Sequence, residues 1–549
     1  MERIWAVLTK KQTSVGSAAF ILVLMVFASR VLGLVRDRLL SARFLPDDLG
    51  VYFAAFRLPN LLFELLVMGA LTSAFIPVFT KYLSQDKEKE AWRIAATLIN
   101  ATVIILVVLA IPALIWTEAI SRFLAPGFSQ GQIAQMSTFT RFMILSQVLP
   151  LLVGNFFTGI LQSYNLFLVP ALAPVVYNVG IIAGIVILTP SLGLWSPVVG
   201  VGLGAVLFMV IQIPLLVRVG YRYSSEMNLK LHGVREVGKL MGPRTLGLAV
   251  SQIDTTIDLI LSTLLGARMV TIFNFAQHLQ QLPIGLFGAT VGQAALPLLS
   301  QQLAKDNLEE FSRTISRALH QILFFVLPAS SLFIVLRIPM VRLVFGAARF
   351  DWEATVLTGM TLSAFSISLA AQASVQVLAR GFYALYDSKT PVAIGIIAIL
   401  INSLASILFI QYFKLPVWSL GLSTSIASFF NAGLLLWLLD RRVHRFNKWQ
   451  LFGPPIKMVT AAFVSGIALY IPLKLLDQLV FDTTRVFGLI LLTGVSATIG
   501  LVTYMFLSWV FGVGEVQSLL NFLRRVGRLR VLFEPAAEVV NGGMEDKMS

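Results

Sequence analysis

Apolar runs of roughly 18 to 25 residues follow one another along this chain from end to end, and each is long enough to cross about 30 Å of hydrocarbon as a helix. Lipid offers no partner to a backbone N–H or C=O. Runs of this length must therefore satisfy their hydrogen bonds within themselves, as helices do. Composition leaves little for anything else. Of 549 residues, 57% are hydrophobic and 13% charged, where a soluble domain carries about a quarter charged. The chain reads as an all-α polytopic membrane protein with no room for a large soluble domain. The first run continues into charged sequence without a small-residue cleavage site, the pattern of a retained helix rather than a cleaved signal.

Fourteen transmembrane helices are expected, centred near residues 28, 66, 103, 148, 179, 207, 252, 288, 324, 368, 399, 428, 463 and 497. Alternate loops are basic. About 26 of the 42 Lys and Arg residues fall on one side and about 9 on the other. That excess marks the cytoplasmic side and places both termini there. It also accounts for the net charge of +15 without a nucleic-acid partner. One segment goes against the pattern. "RIPMVRLVFGAARFDWE" falls on the sparse side yet carries Arg337, Arg342 and Arg349.

The sequence repeats itself. Val51 to Asp86 aligns without a gap on Thr271 to Asp306, pairing Phe53 with Phe273, Ala74 with Ala294, Pro77 with Pro297 and Asp86 with Asp306. Further on, "GILQSYNLFLVP" matches "GFYALYDSKTP" with one gap, pairing Gly159 with Gly381, Tyr164 with Tyr386 and Pro170 with Pro391. An offset near 220 residues spans six helices, an even number, so both copies keep one orientation. The expectation is two six-helix lobes related by a parallel pseudo-two-fold along the membrane normal. The divisions are residues 1–222 (helices 1 to 6), 223–448 (helices 7 to 12), a further pair over 449–512, and a basic cytoplasmic tail over 513–549. Within the tail, "NFLRRVGRLRVLF" reads as an amphipathic helix on anionic headgroups.

Charge within the apolar runs marks candidate working residues, because ionisable groups there are costly unless they face a cavity or a partner. On a helical wheel Ser29, Arg30, Gly33, Arg36 and Asp37 share a sector of roughly 120°, while Arg38 falls outside it and is expected to snorkel. Arginines on such a face suit a phosphate-bearing substrate, since guanidinium matches phosphate oxygens. Asp37 can hold an arginine in an empty site. The alternative is a face at the membrane surface. Arg57 precedes a helix-kinking Pro59, and Glu64 is its local candidate partner. Asp254 and Asp258 stand at i and i+4 and need a cation or protons in lipid. Asn402, Ser406 and Thr424 could complete an oxygen-lined cation site with them. His278 is either a structural histidine or part of the substrate site. "GVGLG" (Gly200 to Gly204) reads as close helix packing. No metal-ligand spacing, nucleophile–base arrangement or Walker-type loop is evident, so neither an enzyme nor an ATPase is expected. With no cysteine there are no disulfides or thiolate sites.

In order and spacing, "SRVLGLVRD", "FRLPNLL", "GALTSAFIPVF", "APGF", "VPALAPVVYNVG", "MGPRTLGLAVSQI" and "GFYALYDSKTPV" resemble the MurJ/MviN family over about residues 14 to 510. These are lipid II flippases of the multidrug/oligosaccharidyl-lipid/polysaccharide exporter superfamily. The resemblance implies two lobes around a central cavity and a lipid groove formed with the last two helices. It implies movement of undecaprenyl-diphosphate-linked peptidoglycan precursor from the inner to the outer leaflet of the bacterial cytoplasmic (inner) membrane, by alternating access and for cell-wall synthesis. The drive would be the membrane potential or a cation gradient, with Na+ or H+ as coupling ion and no other cofactor. Partners would be lipid II, membrane lipids and the cell-wall synthesis machinery. Ser29, Arg30, Arg36 and Asp37 match the family's cavity-facing motif, where the arginines would meet the diphosphate. The chain departs from the pattern at Phe63 and Glu64, where basic residues are common, at His278, where arginine is common, and at Gly50, where an acid is common. Other readings stay open: a flippase for another polyprenyl-linked glycan, a cation-coupled small-molecule exporter, or a scaffold without transport.

Overall fold

A computed structural model describes residues 15–68, 74–479 and 486–519. The expected amphipathic tail, Lys10, Lys11 and residues 69–73 of the "GALTSAF" motif lie outside the described residues. Among the described residues the fold is helical, with no strand. The long helices run in order as α1 (Val15–Arg43), α2 (Pro46–Leu66), α3 (Glu88–Ile115), α4 (Gln130–Ser163), α5 (Leu168–Leu192), α6 (Trp195–Arg218), α7 (His232–Leu264), α8 (Ala267–Ala304) and α9 (Leu308–Val335). They continue as α10 (Trp352–Ser366 with Leu369–Ala384, bent by 44°), α11 (Lys389–Tyr412), α12 (Trp418–Val443), α13 (Lys448–Asp477) and α14 (Val486–Val510). Eleven of them are long and apolar enough to cross a membrane, or twelve with the bent pair as one span. Helices α1 and α7, of 29 and 33 residues, have the length as well. The expected fourteen crossings require both.

The internal repeat is visible in backbone detail. Helices α2 and α8 each carry a π-bulge, at Glu64–Met68 and Ile284–Ala289. Each is followed by a turn with a left-handed aspartate, Asp86 (φ 57°) and Asp306 (φ 53°). The same backbone bond closes both turns, from Lys87 N–H to Tyr82 O and from Asn307 N–H to Gln302 O, each 3.0 Å. The second matching block needs a change of register. Its left-handed residues are Asn165 and Tyr386, and its turns close from Leu166 to Leu161 and from Asp387 to Phe382. Asn165, not Tyr164, is therefore the counterpart of Tyr386. With that register the block runs without a gap at an offset of 221 residues against 220 in the first block, so the second copy carries one more residue between the two blocks. The bend of α10 falls in that stretch, opposite the π-bulge Ile144–Val148 of α4.

Packing follows from small residues where backbones cross. Cβ atoms on Gly180 and Gly184 of α5 would lie 2.5 and 2.4 Å from the Cα atoms of Gly204 and Gly200 on α6, so the "GVGLG" stretch is a helix-packing surface. Helices α13 and α14 pair through Ser465 Oγ donating to Gly500 O at 2.6 Å. They dock on α9 through Ser331 Oγ and Ala462 O at 2.8 Å and through the Phe324 and Tyr504 rings. Arg38 does not snorkel. It donates to Leu343 O at 2.6 Å, near the end of the short helix Arg337–Phe345, where carbonyls lack helical partners.

The two lobes meet at the ends of α2 and α8. Gly50 lies so close to Ala267 that a Cβ there would sit 1.8 Å from its carbonyl oxygen, and Thr271 Oγ1 donates to Pro46 O at 2.6 Å. Around this contact Arg268 binds Asp351, Glu353 (3.4 Å) and Asp47 (3.9 Å). At the opposite end Lys81 reaches Glu236 at 3.1 Å, between the segment after α2 and the start of α7.

Asp387, in the loop before α11, accepts from the Lys389 and Thr390 N–H groups and the Thr390 hydroxyl, and Arg442 lies 2.8 Å away. Burial pushes its carboxyl up, but the Thr390 bonds and Arg442 outweigh that and hold it below the usual carboxylate range. A depressed folded-state value means stabilisation that is present at neutral pH and lost as pH falls through that value. Asp387→Asn should therefore lower the melting temperature at pH 7 and leave it unchanged in strong acid. An equal loss at both pH values would rule out the charge as the cause.

Candidate functional site

A cavity of about 530 Å³ lies between the lobes, walled by α1, α2, α4 and α5 on one side and by α7 and α8 on the other. Its polar lining includes Arg36, Arg57, Asn60, Glu64, Asn155 and His278. Aromatic residues Tyr52, Phe53, Phe56, Phe63 and Tyr177 complete the wall.

The central feature is a chain of charge. Arg36 donates from Nε and Nη2 to one oxygen of Asp37, at 2.9 and 2.8 Å. The other oxygen of Asp37 lies 2.7 Å from His278 Nδ1. Asp37 is buried, at 2% side-chain exposure, whereas Arg36 and His278 keep 21% and 33%. A carboxylate this deep is tolerable only because both oxygens are paired. Helix α1 belongs to one lobe and α8 to the other, so Asp37 ties the lobes together. Arg36 also reaches Asn178 Oδ1 of α5 at 3.4 Å, and Asn178 donates to Ser29 Oγ at 3.2 Å. Ser29, Arg36, Asp37 and His278 thus form one network, with Asn178 as a member that the sequence reading passed over. The signal was present: Asn178 is a polar residue inside the apolar "VPALAPVVYNVG" stretch.

Other expected residues are placed differently. Arg30 is exposed, has no hydrogen bond or ion pair among the described residues, and is absent from the cavity wall. Gly33 faces open space, since a Cβ there would meet no atom within 4 Å. Arg57 is buried and does not pair with Glu64. It donates from Nη2 to Gln252 O at 2.5 Å and from Nε to Thr256 Oγ1 at 2.9 Å, both on α7. Glu64 instead takes the side-chain amide of the same Gln252.

The proposed cation ligands come together only in part. Asn402 Nδ2 donates to Asp254 Oδ1 at 2.9 Å and to Asp258 Oδ1 at 3.3 Å, and Thr424 Oγ1 lies 3.4 Å from Asn402 Oδ1. Ser406 stands apart, with its hydroxyl 2.5 Å from that of Ser423. Among the described residues there is no group of three or more His, Cys, Asp or Glu suited to a metal. Two carboxylates, an amide and a hydroxyl are hard oxygen donors, suited to an alkali cation or a proton rather than a soft metal.

Two helical lobes enclosing a polar cavity, with a further helix pair on one flank, define a multi-pass membrane transporter rather than an enzyme. The chain belongs to the family described as Lipid II flippase MurJ, which matches residues 47–487. A probable lipid II flippase MurJ of Buchnera aphidicola subsp. Baizongia pistaciae is 27% identical over 456 residues, 82% of this chain and 88% of that one. Lipid II flippase MurJ of Burkholderia cenocepacia is 28% identical over 451 residues, 79% and 86% of the two chains. Among solved structures, lipid II flippase MurJ in an inward closed conformation superposes with a TM-score of 0.74 at 24% identity, over 90% of this chain and 98% of that one. An inward-facing multidrug resistance MATE family transporter of the MOP superfamily gives 0.64 at 14% identity, over 76% and 94%. These two likenesses establish the shared fold.

Proposed function

We propose that this chain carries lipid II from the inner to the outer leaflet of the bacterial cytoplasmic membrane by alternating access, with both termini in the cytoplasm and Arg36 receiving the diphosphate. The observation that carries this reading is the Arg36–Asp37–His278 chain, whose two ends, Arg36 and His278, line opposite walls of the cavity and are joined through the buried Asp37. In the empty site Asp37 occupies the donors of Arg36. An arriving diphosphate offers more acceptor oxygens and more charge, so it can take those donors over. Asp37 then keeps only His278, and the tie between lobes changes as substrate binds. Arg57 holds α7 through a carbonyl and a hydroxyl, weak neutral acceptors that a phosphate oxygen outcompetes. A cavity of about 530 Å³ suits a drug-sized ligand. A disaccharide bearing a peptide is larger, so loading requires the lobes to separate. The repeated bulges and turns support a division into lobes at 1–222 and 223–448, and 449–512 is read as the lipid-groove pair outside the repeat.

The test is replacement of the endogenous flippase in a bacterium by this chain. Growth should continue without inner-leaflet accumulation of lipid II. Lysis with accumulation, at normal insertion of the protein, would reject lipid II as substrate. A cationic drug is the poorer cargo, because Arg36 and Arg57 would repel it.

Coupling to Na+ or H+ is assigned to Asp254, Asp258, Asn402 and Thr424 in the second lobe. An imposed cation gradient should accelerate transport in proteoliposomes, and Asp258→Asn should abolish the acceleration while leaving the transport seen without a gradient in place. Acceleration that survives Asp254→Asn and Asp258→Asn together would remove this cluster from the coupling.

A further inference from the structure

The arginines of "RIPMVRLVFGAARFDWE" lie at the sparsely charged end of the bundle, where the topology rule leaves them unexplained. The structure gathers two of them around a second cavity, of about 500 Å³, that is separate from the transport cavity. Arg337 and Arg342 come from the short helix after α9, Lys474 and Asp477 from the end of α13, and Trp352 from the start of α10. Three cations and one carboxylate give this wall an excess of positive charge. The rest of the wall is apolar, including Ile338, Leu473, Leu489 and Leu492. Trp352 and Tyr470 are 62% and 51% exposed at its edge, as aromatic residues are at the level of lipid headgroups. Arg342 lies 6.0 Å from the Trp352 ring centroid, which orients its guanidinium beside that ring.

Such a pocket is amphiphilic in the manner of a lipid: cations at one end, apolar side chains at the other, interfacial aromatics beside them. The geometry points to a binding site for the phosphate of a lipid in the leaflet opposite the basic loops. Arg337 and Lys474 would contact the phosphate oxygens, and the leucines would contact the first methylenes of the chain. Two sources carry this chemistry, an anionic phospholipid of the bilayer or a polyprenyl diphosphate lipid, and both satisfy the site.

Native mass spectrometry on the full chain in detergent tests this, with phosphatidylglycerol, phosphatidylethanolamine and undecaprenyl diphosphate as probes. The wild type should retain phosphatidylglycerol or undecaprenyl diphosphate in preference to phosphatidylethanolamine. Lys474→Gln, at an exposed position that does not threaten folding, should weaken that retention about fivefold, and Arg337→Gln with Lys474→Gln roughly twenty-five-fold. Arg337→Lys should restore most of the loss due to Arg337→Gln. The better-retained of the two anionic probes identifies the source. Equal retention of charged and zwitterionic lipid overturns the proposal. So does retention unaffected by the double variant, or retention lost in Arg36→Gln but not in Lys474→Gln, which would place the lipid in the transport cavity. Displacement by inorganic phosphate alone at millimolar concentration would show a phosphate site without a lipid.

Discussion

Arg36→Ala should reduce lipid II translocation by about a hundredfold or more, from the loss of charge-assisted bonds worth roughly 1.5–3 kcal/mol each. The same change has a second effect that must be separated from the first. Asp37 is 2% exposed, and Arg36 supplies two of its hydrogen bonds. Removing one partner of a buried pair costs about 3–5 kcal/mol, because the remaining charge is left uncompensated. Here His278 still holds the other oxygen, so the destabilisation should fall toward the lower end of that range. Arg36→Ala combined with Asp37→Asn removes both charges. The double variant should recover much of the lost melting temperature and none of the transport. Arg36→Lys keeps the charge but not the planar fork, and should fall between wild type and Ala in transport. The measurements are transport in proteoliposomes and thermal melting on the same preparations. Recovery of transport along with stability in the double variant would show that Arg36 serves only to neutralise Asp37. The substrate would then have to meet Arg57 or another group.

The fold was legible because two periodicities are written into the residues. Apolar runs of membrane length mark the helices, and a repeat offset near 220 residues marks the lobes. The offset also foreshadowed the paired bulges and left-handed turns, although the register of the second turn was off by one. In the site, Arg36 and Asp37 were legible from α1 alone, since a wheel needs one helix. Their partners were not, because His278 and Asn178 lie 241 and 142 residues away. The pairing of Arg57 with Glu64 failed for a local reason. Seven residues of helix separate them by about 10 Å of rise, while α7 passes directly beside the guanidinium. Ser406 failed in the same way. It shares a face with Asn402 one turn on, but that turn carries its hydroxyl to Ser423 and away from the carboxylates. Arg38 lay correctly off the face, yet its destination was a carbonyl of a short helix that hydropathy does not reveal.

Gly50→Val should hold the lobes apart at the α2–α8 contact and cut transport by at least about tenfold, even though Gly50 touches no substrate. Besides the Thr271–Pro46 hydrogen bond, two interactions close this rim, and their magnitudes differ. Of the Arg268 partners only Asp47, 3.9 Å away and 54% exposed, belongs to the other lobe, since Asp351 and Glu353 share the lobe of Arg268; so exposed a pair contributes about 1 kcal/mol or less. Burial raises the Asp351 carboxyl, but the Ala354 N–H and Arg268 hold it below the usual range, so at neutral pH it stays ionised and holds Arg268 in place beside Asp47. The backbone contact is stricter. A Cβ at 1.8 Å from the Ala267 carbonyl oxygen cannot be relieved by a rotamer, because the obstacle is main chain. Overpacking of this kind costs about 1–3 kcal/mol, enough to outweigh any one of the ion pairs. The native chain has no cysteine, so a single reporter can be introduced. Asn274→Cys lies in the cavity wall. In the wild-type background a membrane-impermeant thiol reagent added outside should label it slowly, and with Gly50→Val it should label fast. Gly33→Ala is the control, because its Cβ meets nothing within 4 Å and should leave the rim unchanged. Unchanged labelling and transport in Gly50→Val would mean that α2 and α8 yield at this point, and that closure depends on the Arg268–Asp47 pair and the Thr271–Pro46 bond instead. Arg268→Gln would then have the larger effect.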